Sequence, residues 1–393
     1  MKFSSKLAVT GVAVALASLS AVTAAASAST PAASNVGGKH AAKTCAAPAK
    51  GYAACFAQVV TDGTGKPAVT GSPSGLNPAD LISAYNLPSS TTTATVAIVD
   101  AYNDPTAESD LGVYRSQFGL PACTTANGCF RKVSQSGSTT SLPKTDAGWA
   151  TEISLDLDMV SAVCPSCHIL LVEASSSSFA NLGTGVNYAA SQPGVVAISN
   201  SYGGSDSAET SAYNHPGIAV VASSGDNGYG VESPASFPHV VGVGGTHLVR
   251  SSTSRGWTET AWSGAGSGCS TLNAKPTWQT SATQCSGKAV SDVSAVADPN
   301  TGVSVYDSTS YQGRSGWQVY GGTSVASPII GSVYALSGNT ASYPASYTWA
   351  HTSGLNDVTS GSNGTCTTAV WCNSGAGWDG PTGLGTPNGT SAF

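Results

Sequence analysis

Charge is what this 393-residue chain has least of: Asp, Glu, Lys and Arg together make up 9% of it, against roughly 25% in ordinary soluble domains. With 15 Lys+Arg and 6 His, protonating every carboxylate would leave little positive charge, so self-repulsion in acid stays limited. A Gly/Ser/Thr-rich secreted chain would be equally poor in charge, so composition alone favours neither acid adaptation nor simple economy. No basic run is present and the formal net charge is -6, which gives neither nucleic acid nor an anionic membrane surface a reason to bind. Beyond about Ala21 no apolar stretch is long enough to span a bilayer. No period of solenoid length recurs.

What is present divides the chain in three. Residues 1–28 read as a secretory signal peptide: a basic start at Met1-Lys2, an Ala/Val/Leu stretch, and the small-residue cleavage pattern Ala26-Ser27-Ala28. A secreted, extracellular, soluble protein is expected. Residues 29–74, rich in Ala, Gly, Pro, Ser and Lys, read as a loosely ordered N-terminal segment and a possible short propeptide, pinned by Cys45 and Cys55. Order is expected to begin near Leu76, where Asn77 or Asp80 would cap a short helix. Residues 75–393 carry all the candidate chemistry without an intervening linker and are expected to form one domain, a monomer.

The ten cysteines fall into close pairs: Cys45 and Cys55, Cys123 and Cys129, Cys164 and Cys167, Cys269 and Cys285, Cys366 and Cys372. In an exported chain that spacing favours local structural disulfides over metal ligation. Cys164-Pro165-Ser166-Cys167 could also be a redox CxxC motif, although nothing thioredoxin-like surrounds it.

Thr95–Asp100 reads as a buried apolar strand ending in an acid, and His168–Glu173, Val195–Ser199 and Ile218–Ala222 repeat its continuous apolar form. Helix-like segments, notably 147–163 and 179–191, lie between them. Buried strands alternating with helices predict an α/β fold with a largely parallel central sheet covered by helices on both faces. Ligands of such sheets gather beyond the carboxyl ends of the strands, where Asp100, Tyr202 and Asp226 fall. Past Val249 the chain is Gly/Ser/Thr-rich and reads as loop-heavy.

Gly321-Gly322-Thr323-Ser324-Val325-Ala326-Ser327-Pro328 presents a serine at a Gly-rich turn leading into a small-residue helix, a setting suited to a nucleophile. A serine hydroxyl needs a positioned base, yet none of the six histidines stands in a His-Gly-Thr phrase. Glu152 and Asp156 sit at i and i+4 on one face of a helix whose other residues are largely apolar. Paired carboxylates in such a setting push their proton affinities apart, although two acids on one face also suit a solvated stripe. Asp226, in Ser224-Gly225-Asp226-Asn227-Gly228, could be an ordinary turn residue. Protonated, it could instead donate a hydrogen bond to an oxyanion.

Glu152 with Asp156, Asp226 after Ser224-Gly225, and Gly322 to Pro328 occur in the order and local context of the sedolisins, serine-carboxyl peptidases with a subtilisin-like fold, and the similarity runs from about Leu76 to Asn388. The resemblance implies hydrolysis of protein or peptide substrates at acidic pH, with Ser324 as nucleophile, Glu152 as general base and acid, Asp156 as its orienting partner and Asp226 as oxyanion donor. It also implies a substrate-binding strand at Ser201, Tyr202 and Gly203, where the family often has Trp for Tyr202, and a carboxylate network that Asp100 could join. Asn356–Thr359 and Gly375–Asp379 resemble the family's calcium loops, with Asp357 and Asp379 supplying carboxylates and Val358, Gly375 and Gly377 backbone carbonyls to Ca2+. The long folded propeptide common in the family has only residues 29–74 as a counterpart here. Two other readings stay open: a neutral subtilisin-type peptidase, for which the histidine context is missing, and a non-catalytic binding protein on the same scaffold.

Overall fold

Seven strands form the main layer of the computed structural model, in the spatial order Trp257–Ala261, Val241–Arg250, Ala219–Ser223, Val195–Asn200, Thr95–Ala101, His168–Ala174 and Phe130–Ser134. An eighth, Val293–Val296, pairs in parallel with Val241–Arg250. Every pairing is parallel except that of the edge strand Trp257–Ala261, which is antiparallel. The structure describes residues 1–2, 34–36, 39–339 and 341–393. Pro31–Phe393 forms one compact unit. The signal-peptide reading of 1–28 and the first residues of the 29–74 segment lie outside the described residues, apart from Met1 and Lys2.

The period-two alternation of the central strands decides which residue meets which helix. Val96 and Ile98 turn to one face and pack with Ile153 and Leu157 of the helix Ala147–Val163. Val99, from the same strand, turns to the other face and meets Leu182 and Val186 of the helix Phe179–Ala190. A third helix, Thr323–Ser337, adds Val325, Ile329, Ile330 and Val333 to the layer that holds Val221, Val243 and Ala295. Each such side chain taken fully from water contributes roughly 1.5–3 kcal/mol. The fold is the expected α/β class, subtilisin-like, with helices on both faces of a largely parallel sheet.

Local signals explain the helix starts. Asn77 and Asp80 form a reciprocal capping box ahead of Pro78–Ala84. Asp146 accepts from the N–H groups of Gly148 and Trp149 to begin Ala147–Val163. All five cysteine pairs are disulfide-bonded as their spacing suggested, Cys164–Cys167 included. Past Val249 the loop-heavy reading gives way in part to a long antiparallel hairpin, Val303–Tyr311 with Arg314–Gly321.

The expectation of loose order before Leu76 is corrected by the structure. Lys39–Lys43 and Gln58–Thr61 are inner strands of a five-stranded antiparallel sheet whose other side is the 303–321 hairpin. Ala41, Ala42, Phe56, Ala57, Val59 and Val60 are buried. The small residues that looked like a flexible composition are instead small enough to lie between two packed layers.

Candidate active site

Ser324 is placed by three local features. Gly322 precedes its helix at φ 100, a conformation open to glycine and strained for other residues. A Cβ on Gly322 would lie 1.9 Å from the Phe56 carbonyl oxygen and 2.7 Å from Asp226 Oδ2, so only glycine allows the approach. Pro328 has no N–H to give to the Ser324 carbonyl four residues earlier. The Ser201 hydroxyl lies 3.4 Å from that carbonyl and partly fills the gap.

Asp226 does the work of the missing side-chain cap. Its Oδ1 accepts from the Thr323 N–H and from the Thr323 hydroxyl, both at 2.8 Å, and its Oδ2 accepts from Gln58 Nε2 at 2.8 Å. Burial raises its pKa to about 6, against the downward pull of the Thr323 bonds, Lys43 and Gln58. It is therefore neutral in mild acid and stands beside the Phe56 carbonyl.

Glu152 and Asp156 are both completely buried, which removes the solvated-stripe reading. Glu152 Oε2 accepts from the Ala57 N–H at 2.7 Å, while Oε1 has no hydrogen-bond partner. Burial pushes the Glu152 carboxyl well up, the Asp100 charge adds to this, and the neighbouring Ser324 hydroxyl and Ala57 N–H pull it back. Asp156 is likewise pushed well up, first by burial and then by the charges of Asp100 and Glu152. Its Oδ1 accepts from Ser201 Oγ at 2.8 Å. Asp100, raised to about 8 by burial and by Glu173, has no hydrogen-bond partner on either oxygen. These buried acids cannot all ionise together, so protons are shared among them near neutrality.

The Ser324 hydroxyl donates to the Ser201 carbonyl at 3.2 Å and accepts from the Phe56 N–H at 3.2 Å. The histidines whose ring contacts are described bond elsewhere: His239 to Glu209, His247 to Asp298, His215 to the Ala212 carbonyl and His351 to the Tyr347 carbonyl. The strand Tyr202–Ser205 offers its backbone to the same cleft, with Gly203 paired to Ala54 and Tyr202 to Cys55. The Tyr202 side chain faces away, its hydroxyl bonded to Asn200 and Tyr213.

The C-terminal loops come together at a separate place. Asp357 Oδ2 accepts from the Gly377 N–H at 2.8 Å. Asp379, fully buried, accepts from Gly375, Ser374 and Thr382. Two carboxylates on adjoining loops, with the Val358, Gly375 and Gly377 carbonyls engaged in none of the hydrogen bonds described, make an all-oxygen donor set that suits a hard cation. Among the described residues no group of three or more His, Cys, Asp or Glu side chains gathers around a metal position, so any cation there would depend on those carbonyls.

Phe56, Ala57 and Gln58 touch Ser324, Glu152 and Asp226 respectively, and sequence reasoning passed over all three. The signal was a short run, Cys55 to Val60, of residues that alternate poorly but are mostly apolar, hidden in a segment whose average composition suggested disorder.

Such a sheet, with a buried serine at a helix N-terminus and a cluster of buried acids beside it, defines a subtilase-like hydrolase scaffold. The chain matches the Subtilase family over residues 140–376 and belongs to it, in the sedolisin branch. It is 29% identical over 364 residues to kumamolisin of Bacillus sp. (strain MN-32), covering 81% of this chain and 63% of that protein. It is 34% identical over 176 residues to sedolisin of Pseudomonas sp. (strain 101), covering 40% of this chain and 29% of the relative. The solved structure of Pseudomonas sedolisin, a serine-carboxyl proteinase complexed with two molecules of pseudo-iodotyrostatin, superposes with a TM-score of 0.67 at 26% identity over 81% of this chain and 96% of its own. The chain thus spans about three fifths of the length of kumamolisin.

Proposed function

We propose that this protein is a serine-carboxyl endopeptidase that hydrolyses peptide bonds of protein or peptide substrates in acid. The observation that carries the reading is the company of Ser324: buried Glu152 beside its hydroxyl, buried Asp226 at the head of its helix, and, among the described residues, no histidine bonded to it. In this reading Ser324 attacks the substrate carbonyl and Glu152 takes its proton, later returning it to the leaving amine. Asp156, held by Ser201, keeps Glu152 oriented and tunes its charge. Protonated Asp226 donates to the oxyanion. Substrate lies along Ser201, Tyr202 and Gly203 as an added strand.

The remaining parts of the reading have their own support. Five disulfides suit an exported, extracellular protein, and no helix among the described residues is long and apolar enough to cross a membrane. Calcium would sit between the Asp357–Val358 and Gly375–Asp379 loops and hold them together, away from the chemistry. Peptide partners are bound by a monomer.

The test is the pH dependence of kcat/KM for a synthetic peptide with the full chain. A maximum at roughly pH 3–5 is expected, because Asp226, raised to about 6 by burial, must hold its proton to donate to the oxyanion. A maximum at pH 7–9 would overturn the carboxylate mechanism in favour of a neutral subtilisin-type one, and no turnover at any pH would favour a binding protein.

A further inference from the structure

The chain lays one of its own peptide bonds across the site. Ala54 and Cys55 pair antiparallel with Gly203 and Tyr202, and the Phe56 N–H continues the ladder to the Ser201 carbonyl at 3.3 Å. The residues flanking the next bond then meet the reactive groups one by one. Phe56 donates to Ser324 Oγ, and its carbonyl oxygen faces the recess by Gly322 and Asp226. The Ala57 nitrogen donates to Glu152 Oε2 at 2.7 Å. Gln58 reaches Asp226. A substrate would need this placement: carbonyl by the oxyanion donor, leaving nitrogen by the acid.

We infer that Phe56–Ala57 is a self-cleavage site: the segment Ala53–Gln58 fills the substrate groove as an internal strand, and Ser324 cuts the chain there. The inference rests on the peptidase reading above. Ser324 Oγ bonds to the Phe56 carbonyl carbon while its proton passes to Glu152, and the C–N bond to Ala57 breaks as Glu152 returns that proton to the nitrogen. Water then hydrolyses the ester, giving Phe56 a carboxylate, Ala57 a free amine and Ser324 its hydroxyl.

The same geometry names a substrate class. The Phe56 ring is buried at 3% exposure over Gly203, where a Cβ would stand 2.6 Å from a ring carbon, so the groove takes an aromatic side chain before the cut and a small residue after it. Until the cut is made the groove is closed to other peptides, since Ser324 is completely buried. Cys45 and Cys55 both lie on the N-terminal side of the bond, so their disulfide does not tether the pieces. The released piece has only strand pairing and packing to hold it, chiefly Lys39–Lys43 against Gln58–Thr61.

The test follows the full-length chain and its Ser324→Ala variant at pH 4 by intact mass and N-terminal sequencing, with a synthetic peptide of residues 53–60 carrying Cys55→Ser present in parallel. Wild type is expected to yield a product beginning at Ala57, at a first-order rate independent of protein concentration, while Ser324→Ala stays joined. The peptide is expected to be cut between its Phe and Ala. Cleavage of the added peptide with the chain's own Phe56–Ala57 bond left intact, or cut at another bond, overturns the inference and leaves the peptidase reading standing. Failure to cut either one overturns both. Phe56→Gly should slow self-cleavage at least 10-fold, and an unchanged rate would remove the aromatic preference.

Discussion

Asp226 is bonded to Thr323 twice through one oxygen, by the backbone N–H and by the hydroxyl, each at 2.8 Å. That pair fixes the carboxyl at the positive end of the helix that begins beside Ser324, where an ionised group would be favoured. Burial overrides this preference and leaves the pKa at about 6. The group is consequently a neutral donor below that pH and an anion above it.

Asp226→Asn therefore offers a direct reading of its role. An amide keeps a donor at every pH, so the alkaline limb of kcat/KM should move upward by at least a pH unit, even if the peak value falls because the amide sits less well. The measurement is the profile of both proteins on one peptide, with folding verified by circular dichroism at each pH. A limb that stays near pH 6 in a folded, active variant would assign that limb to another group.

Glu152 and Ser324 should behave as one unit. Ser324→Ala and Glu152→Gln are each expected to lower kcat by roughly 10³-fold or more, and the double variant should lose little beyond either single one. Glu152→Gln keeps the shape of the side chain and can still accept from Ala57, so the fold should survive. Multiplicative losses in single-turnover assays would mean that the two residues act separately.

Much of this arrangement was legible beforehand because its signals are local. The strands Thr95–Ala101, His168–Ala174, Val195–Asn200 and Ala219–Ser223 stand within two residues of where their apolar runs placed them. The i, i+4 spacing of Glu152 and Asp156 on an apolar helix needed no tertiary knowledge. The strand at Gln58–Thr61 was missed because its partners on one side, Tyr320 and Gly321, lie far along the chain, while its nearer partner Lys39–Lys43 sits in the same Ala-rich stretch, and pairing leaves no periodic trace in so short an element. Asp307 and Asp104 were missed for a similar reason: both are fully buried, Asp307 accepting from Thr151 of the helix Ala147–Val163 and Asp104 from Ser154 of that helix and Thr309 of the hairpin, contacts that no local pattern announces.

Those buried acids predict a fold that is firmest in acid. Burial is the leading cause that raises Asp100 to about 8 and Glu173 and Asp307 to about 7. The folded chain holds these protons between about pH 4 and pH 8, where an unfolded chain has released them. The sign is therefore fixed: this stabilisation is complete below about pH 4 and is lost as pH rises through the folded values. Each pKa step is worth about 1.4 kcal/mol, so the Ser324→Ala variant, which cannot digest itself, should melt several degrees higher at pH 4–5 than at pH 8. Calorimetry at saturating calcium checks this, and a Tm that rises steadily from pH 4 to pH 8 would contradict it.

Calcium should act on stability before activity. Asp357 accepts from the Gly377 N–H and Asp379 from Gly375, Ser374 and Thr382, and a bound cation would add charge-neutralising coordination to that bracing. A ligand at 100 times its Kd stabilises by about 2.7 kcal/mol. Chelation of the Ser324→Ala variant at pH 6 should accordingly lower Tm by several degrees, and Asp379→Ala should show the lower value whether or not calcium is added. In wild type the rate at low temperature, where both forms stay folded, should change little. An unchanged Tm on chelation, together with no calcium by elemental analysis of the dialysed protein, would show that the two loops are held by their own hydrogen bonds and by the Cys366–Cys372 disulfide alone.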